Sequence, residues 1–306
     1  MNPDTKVTID QIKAICSQHN IAFHSYSRIT TGFSHEVHRL NDDLVIKFYN
    51  AENLQSYKTE SALLASKLPF LKPKLIAKGE KDGVIDRNYV IMTYVPGKSL
   101  GINWHLTTDV QRDKLIKDIC YSLKIINQIK SSDIELQAKE SWESELRKRG
   151  QNVVAKLRSR NIIDDQLAER VLLTFKNRLH VLANSPMYPV FWDIHFDNII
   201  VNDNFELQAL IDLENVELAS LDYPLFVVQK LTDEPEKYLS EENEKYANKK
   251  DYENLKELYE KYYPEMFAFD QLETRIKIYL LLDTLHLLID WSHVKELYTK
   301  IDELTS

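Results

Sequence analysis

Cysteine is almost missing from this 306-residue chain, which carries only Cys16 and Cys120. No C-x-x-C pair exists, which argues against a zinc knuckle and a disulfide framework. Glycine is scarce as well, with six in all. There is no G-x-G-x-x-G run and no Walker A run, so neither a Rossmann nor a P-loop fold is expected. The nine histidines show no metal-site spacing, and H-E-x-x-H is missing. No long apolar run is present either. The greasiest stretch, Ile278 to Trp291, is broken by Asp283, His286 and Asp290 and is too short and charged to span a bilayer. Residues Met1 to Lys6 carry no apolar signal-peptide core, so a cytoplasmic location is expected. Positive charge is in deficit: 39 Lys and Arg stand against 47 Asp and Glu, a net of −8. Such a balance repels nucleic-acid backbones and anionic membrane surfaces, so neither partner is expected. It suits a cationic substrate, although many ordinary enzymes share it.

What is present is apolar material for a sizeable core, 43% of residues, enough for one large domain or two lobes. Thr8 and Gln11 form a capping-box pattern ahead of a helix at Ile9–His19. Strand-like runs follow at Tyr26–Thr31, Glu36–Leu40 and Leu44–Tyr49, then a helix at Glu52–Leu68 and strands at Leu75–Ala77 and Tyr89–Val95. Pro96-Gly97 punctuates the chain. Beyond it the pattern turns helical, at Thr108–Lys130, Ile134–Arg149, Asp164–Asn184, Tyr223–Lys230, Asp251–Tyr262 and Gln271–Leu304. One β-like stretch, Val190 to Ala209, interrupts the helices. This shift predicts a strand-rich lobe over residues 1–96, a hinge at 92–97 and a helical lobe over 97–306.

The chemistry concentrates in Phe191-Trp192-Asp193-Ile194-His195-Phe196-Asp197-Asn198, followed by the apolar Ile199-Ile200-Val201 and later by Leu210-Ile211-Asp212. An aspartate, an asparagine five positions on and a second aspartate at a strand end fit three posts that phosphoryl transfer requires. These are a carboxylate beside the attacking hydroxyl and two oxygen ligands for Mg²⁺. A lone D-x-x-x-x-N is more often an Asx-capped turn. The order of features, from the Thr30-Thr31-Gly32 turn through Lys47 on a strand, Glu60 on a helix and the Tyr89–Gly97 hinge to Asp193, Asn198 and Ile211-Asp212, favours the functional reading.

The segment resembles the catalytic loop of the aminoglycoside phosphotransferase and choline kinase superfamily, which usually reads His-Gly-Asp-Leu-His-Pro-x-Asn. Ile211-Asp212-Leu213-Glu214 is similar to that family's metal motif. Val45-Ile46-Lys47 resembles its strand lysine motif, Glu60 its helix partner, and Tyr89 to Gly97 its interlobe hinge. The resemblance implies a bilobal α+β protein-kinase-like fold, with a small antiparallel sheet lobe and a larger helical lobe. It implies ATP, or GTP, between the lobes, with Lys47 and Glu60 on the phosphates, Ser34 in the phosphate loop, and main-chain groups near Thr93 and Val95 on the adenine. It further implies Mg²⁺ on Asn198 and Asp212, and Asp193 as catalytic carboxylate.

Some positions depart from the family pattern. Phe191-Trp192 replaces His-Gly, so the loop needs another internal support such as aromatic packing. His195 is read as a loop histidine bonded to a backbone carbonyl, Asp222 as a helix N-cap, and Trp104 and Trp142 as core residues. The acceptor is expected to be a small-molecule hydroxyl. Carboxylates at Glu214, Glu217, Asp197 and the 233–236 loop would suit an aminoglycoside, each contact being charge-assisted. Choline, another sugar, homoserine or a macrolide are the alternatives, as is a catalytically silent binding module.

Overall fold

The chain was described from a computed structural model, over residues 6–29, 35–50, 53–237, 239 and 241–306. The capping box predicted at Thr8 forms: Gln11 N–H donates to Thr8 Oγ1 at 3.3 Å, and Thr8 N–H to Gln11 Oε1 at 2.9 Å. It opens α1 (Ile9–Gln18). Then come β1 (Tyr26–Ile29), β2 (Glu36–Leu40), β3 (Leu44–Tyr49), α2 (Leu54–Ala65), β4 (Leu75–Gly79) and β5 (Asn88–Thr93). The strands form an antiparallel sheet in the order β1-β2-β3-β5-β4.

Strand periodicity sorts β3 onto two faces. Leu44, Ile46 and Phe48 pack with Ile12, Ile15 and Cys16 of α1. Tyr49 packs with Tyr57 and Leu64 of α2 on the other side. Helix α1 therefore belongs to the sheet lobe, where each buried isoleucine contributes about 1.5–3 kcal/mol. Lys47 shares the face of Tyr49, because both are odd-numbered.

The second lobe begins with β6 (Lys98–Ser99), α3 (Leu100–Asn103), α4 (Asp109–Asn127), α5 (Trp142–Ser159) and α6 (Asp165–Arg178). Four short strands follow: β7 (Tyr188–Phe191), β8 (Ile199–Val201), β9 (Leu207–Leu210) and β10 (Val216–Ala219). Helices α7 (Leu225–Asp233), α8 (Glu241–Glu244), α9 (Leu255–Tyr262), α10 (Leu272–Asp290) and α11 (Lys295–Thr305) complete it. β6 pairs with β8 and β8 with β9, while β7 pairs with β10. Gly97 lets the chain enter this arrangement. Its φ is 140°, and a Cβ there would collide with the Val201 carbonyl.

Two expected helices differ. The one placed at Ile134–Arg149 starts at Trp142, where Ser141 Oγ accepts the Ser144 N–H at 3.1 Å. Glu135, with φ 53°, ends the preceding turn in a left-handed conformation. The one placed at Gln271–Leu304 is two helices. Trp291 leaves the helical region at φ −120° and ψ 45°, and the return buries Ile301 and Leu304. Asp222 is no side-chain N-cap. It is fully buried and accepts from Arg275 at 2.6 and 2.9 Å and from Tyr279 at 2.9 Å. Trp104 and Trp142 lie in the core. No helix among the described residues is long and apolar enough to cross a membrane.

Candidate active site

Lys47 projects from the centre of β3 towards α2 and is 3% exposed. Its ammonium donates to Glu60 Oε2 at 2.8 Å and to Asp212, and lies 3.5 Å from Glu214 Oε1. Burial pulls the lysine pKa down. Asp212, Glu60 and Glu214 outweigh burial and hold it above the usual range. Burial pushes the Glu60 carboxyl up, the Lys47 charge opposes this, and Asp212 and Glu214 reinforce it. Tyr49 also donates to Glu60, so that carboxylate already has two donors.

Asp212 stands where β9 ends. Its left-handed backbone, φ 60° and ψ 44°, turns the chain into a tight turn at Leu213–Asn215. Asparagine and aspartate tolerate this conformation better than most side chains. The turn brings Glu214 beside Lys47, where it also meets His35 Nε2 at 2.5 Å. Carboxylate oxygens of Glu60, Asp212 and Glu214 lie within 4.8 Å of one another. Three carboxylates against one ammonium leave a formal −2 over these four side chains. A hard divalent cation fits that donor set. Asp212, with its side chain 35% exposed, is its open corner.

The β8–β9 hairpin places Asn198 next to this corner. Ile199 pairs with Leu210, and Ile211 N–H donates to Asn198 O at 2.9 Å. Asn198 Nδ2 donates to Asp193 O at 3.0 Å and to Asp193 Oδ2 at 3.1 Å. Its Oδ1 takes no side-chain bond among the described residues, and an amide oxygen of this kind can accept from a donor or a cation. Asn215 Nδ2 donates to the same Asp193 Oδ2 at 3.0 Å, and His195 Nε2 sits 3.4 Å from Asp193 Oδ1. His195 thus stands beside the Asp193 carboxylate. Burial raises the Asp193 carboxyl above the ordinary carboxylate range, against the pull of His195; Asp212 adds to the rise.

The loop is propped by aromatic packing in place of the missing histidine. Phe191, Ile194 and Phe196 are buried, and the Phe196 ring lies 4.7 Å from Trp104 and 5.7 Å from Tyr252. At the hinge, Thr93 N–H donates to Lys74 O and Tyr94 N–H to Asp43 O. Thr93 N–H is therefore occupied. The Val95 main chain makes no hydrogen bond among the described residues. Ser34 lies outside the described residues.

A family model described as the phosphotransferase enzyme family matches residues 25–258. The chain belongs to the phosphotransferase enzyme family. No curated protein matches it by sequence. Among solved structures, the GDP complex of aminoglycoside 2'-phosphotransferase-IIIa is similar at TM-score 0.70 and 14% identity, over 98% of this chain and 99% of that one. ADP-bound aminoglycoside phosphotransferase APH(2'')-Ib gives 0.68 and 17%, over 98% and 97%. The hygromycin B and ADP complex of a thermostable APH(4)-Ia mutant gives 0.65 and 11%, over 96% and 97%. At these identities the likeness establishes the protein-kinase-like fold expected from the sequence.

In the phosphotransferase, the carboxylates expected to bind its acceptor all have partners within the chain. Glu214 faces Lys47 and His35, as above. Glu217 on β10 is paired with both Arg149 and Lys139, which hold its pKa low against the rise from burial. Asp197 accepts from Ser99 Oγ at 3.0 Å and from Asn243, tying the catalytic loop to the start of α3. Asp233 accepts from Gln229 at 2.9 Å. Each of these carboxylates thus has a donor within the protein: Lys47 and His35 for Glu214, Arg149 and Lys139 for Glu217, Ser99 and Asn243 for Asp197, and Gln229 for Asp233.

Sequence reasoning missed Tyr49, His35 and Asn215. Only Tyr49 carried a signal, being two residues from Lys47 on the same strand.

Proposed function

We propose that this phosphotransferase moves the terminal phosphoryl group of ATP, or of GTP, to a hydroxyl of a small molecule. The convergence of Lys47, Asp193, Asn198 and Asp212 on one cleft supports this most strongly. Residues 1–96 act as the nucleotide lobe, 92–97 as the hinge, and 97–306 as the catalytic and acceptor lobe. Lys47, steadied by Glu60, neutralises the α- and β-phosphates, and the Val95 main chain meets the adenine. Asn198 Oδ1 and Asp212, with Glu214 beside it, would hold Mg²⁺, which would supply neutralisation of charge on the transferring phosphoryl group. Asp193 orients the acceptor hydroxyl through Oδ1. As the new P–O bond forms and the bond to the departing nucleoside diphosphate breaks, Asp193 accepts the hydroxyl proton. The transition state is loose, so orientation counts for more than early deprotonation.

An aminoglycoside is the first acceptor reading. It is supported by relatives of the same fold solved with kanamycin, gentamicin and streptomycin. A second reading, a neutral sugar or other metabolite, is favoured by the capture of Glu217 by Arg149 and Lys139. A polyammonium ligand would have to displace those cations. The partly buried Trp192 ring beside Asp193 offers a stacking surface to a sugar.

The test is a transfer screen with labelled ATP and GTP against aminoglycosides, neutral sugars, choline, homoserine and macrolides. Mg²⁺-dependent label on at least one hydroxyl is expected. Turnover of kanamycin-type acceptors selects the first reading, and turnover of neutral sugars alone selects the second. No transfer to any acceptor, together with no Mg²⁺-dependent ATP hydrolysis, contradicts both.

A further inference from the structure

The side-chain torsion that turns an aspartate carboxylate is soft and nearly two-fold, so burial alone does not decide which oxygen faces the acceptor. Here two amides settle it. Asn198 and Asn215 both donate to Oδ2 of Asp193, at 3.1 and 3.0 Å. Oδ1 is left towards His195. The two donors come from different segments. Asn198 closes the loop that carries Asp193 itself, whereas Asn215 closes the turn that begins at the left-handed Asp212. Asn198 is also committed to the backbone of Asp193 at 3.0 Å. Asn215 has no other side-chain partner among the described residues, so its amide serves Asp193 alone.

We propose that Asn215 is a positioning residue: it fixes Oδ2 of Asp193, presents Oδ1 to the acceptor hydroxyl, and locks the Asp212 turn to the catalytic loop. This rests on the reading of Asp193 as the catalytic carboxylate. One carboxylate oxygen is then structural and the other reactive. The Asn215 hydrogen bond ties the Asp212 turn directly to the Asp193 side chain, beside the path from Ile211 through Asn198.

The test combines kinetics with a stability cycle on the full chain. The chains are wild type, Asn215→Ala, Asn215→Asp, Asp193→Ala and Asp193→Ala/Asn215→Ala. Asn215→Ala is expected to lower kcat by about 10–100-fold, the scale of a misplaced reacting group. KM for the nucleotide is expected to stay nearly constant. Asn215→Asp, which puts a like charge against Asp193, is expected to lower kcat further. In thermal melts Asn215→Ala is expected to lower Tm by about 2–4 °C when Asp193 is present, and by much less in the Asp193→Ala background. Unchanged kcat in Asn215→Ala, or an equal Tm loss in both backgrounds, overturns the proposal. Normal turnover in Asp193→Ala removes the catalytic reading of Asp193 instead. The melts then still report whether the hydrogen bond couples the two residues, so the two failures are told apart.

Discussion

Asp193→Ala is expected to lower kcat by about 10²–10⁴-fold, the usual worth of a positioned acid–base group, while nucleotide affinity hardly changes. Asp193 is held by amides, not by the lysine cluster that would meet the phosphates. Its loss therefore removes the contact with the acceptor and spares the nucleotide. The pH dependence carries the same signature. Burial raises the Asp193 carboxyl, Asp212 adds to the rise, and His195, Asn198 and Asn215 oppose it. The base must be ionised to accept a proton, so kcat falls as pH drops through this raised pKa. The acid limb lies above the range of a free aspartate.

Stability runs the other way. The ionised carboxylate is worse off in the fold than in the unfolded chain, so the native state gains stability as pH falls through the raised pKa and carries the cost above it. At neutral pH, Asp193→Asn is therefore expected to raise Tm while abolishing turnover, the pattern of a site built for chemistry at the expense of stability. Steady-state kinetics over pH and paired melts check both. Near-normal turnover in Asp193→Ala sinks the assignment.

Asp212→Ala is expected to abolish Mg²⁺-dependent nucleotide binding. The effect should exceed the roughly 10–100-fold loss that follows removal of a mere hydrogen-bonding partner of a metal ligand. Asp212 is the exposed corner of the three-carboxylate group, and Glu60 is already occupied by Lys47 and Tyr49. The substitution also takes one carboxylate from Lys47, whose charge then has Glu60 and Glu214 left. Calorimetric titration with and without Mg²⁺ separates the two effects, because only the metal contribution disappears in chelator. Titration curves identical to wild type remove Asp212 from the metal site.

Much of this arrangement was legible where chain distance and spatial distance agree. Asn198 and Asp212 flank one hairpin, β8–β9, so spacing alone brings them together. Lys47 and Glu60 sit on a strand and the helix that follows it. Across long stretches of chain, Lys47 and Asp212 were brought together only by the family resemblance, and other partnerships were not legible. Glu217 looks available in sequence, but Arg149 reaches it from α5, 68 residues earlier, and Lys139 from 78 residues earlier. Asp222 finds Arg275 on α10, 53 residues on. Asn215 was missed because its role depends on the left-handed turn at Asp212, and aspartate there announces no such backbone. Helix ends failed for a related reason. The break at Trp291 has no proline or glycine to mark it and is set by the return of α11 onto the core.

The most direct measurement is a crystal structure with Mn²⁺ and a non-hydrolysable ATP analogue. The four-residue convergence predicts anomalous density in contact with Asn198 Oδ1 and the Asp212 carboxylate, with Lys47 turned to the phosphates and Asp193 Oδ1, beside His195, facing the terminal one. Metal density remote from both ligands, or a nucleotide seated away from Lys47, would contradict it.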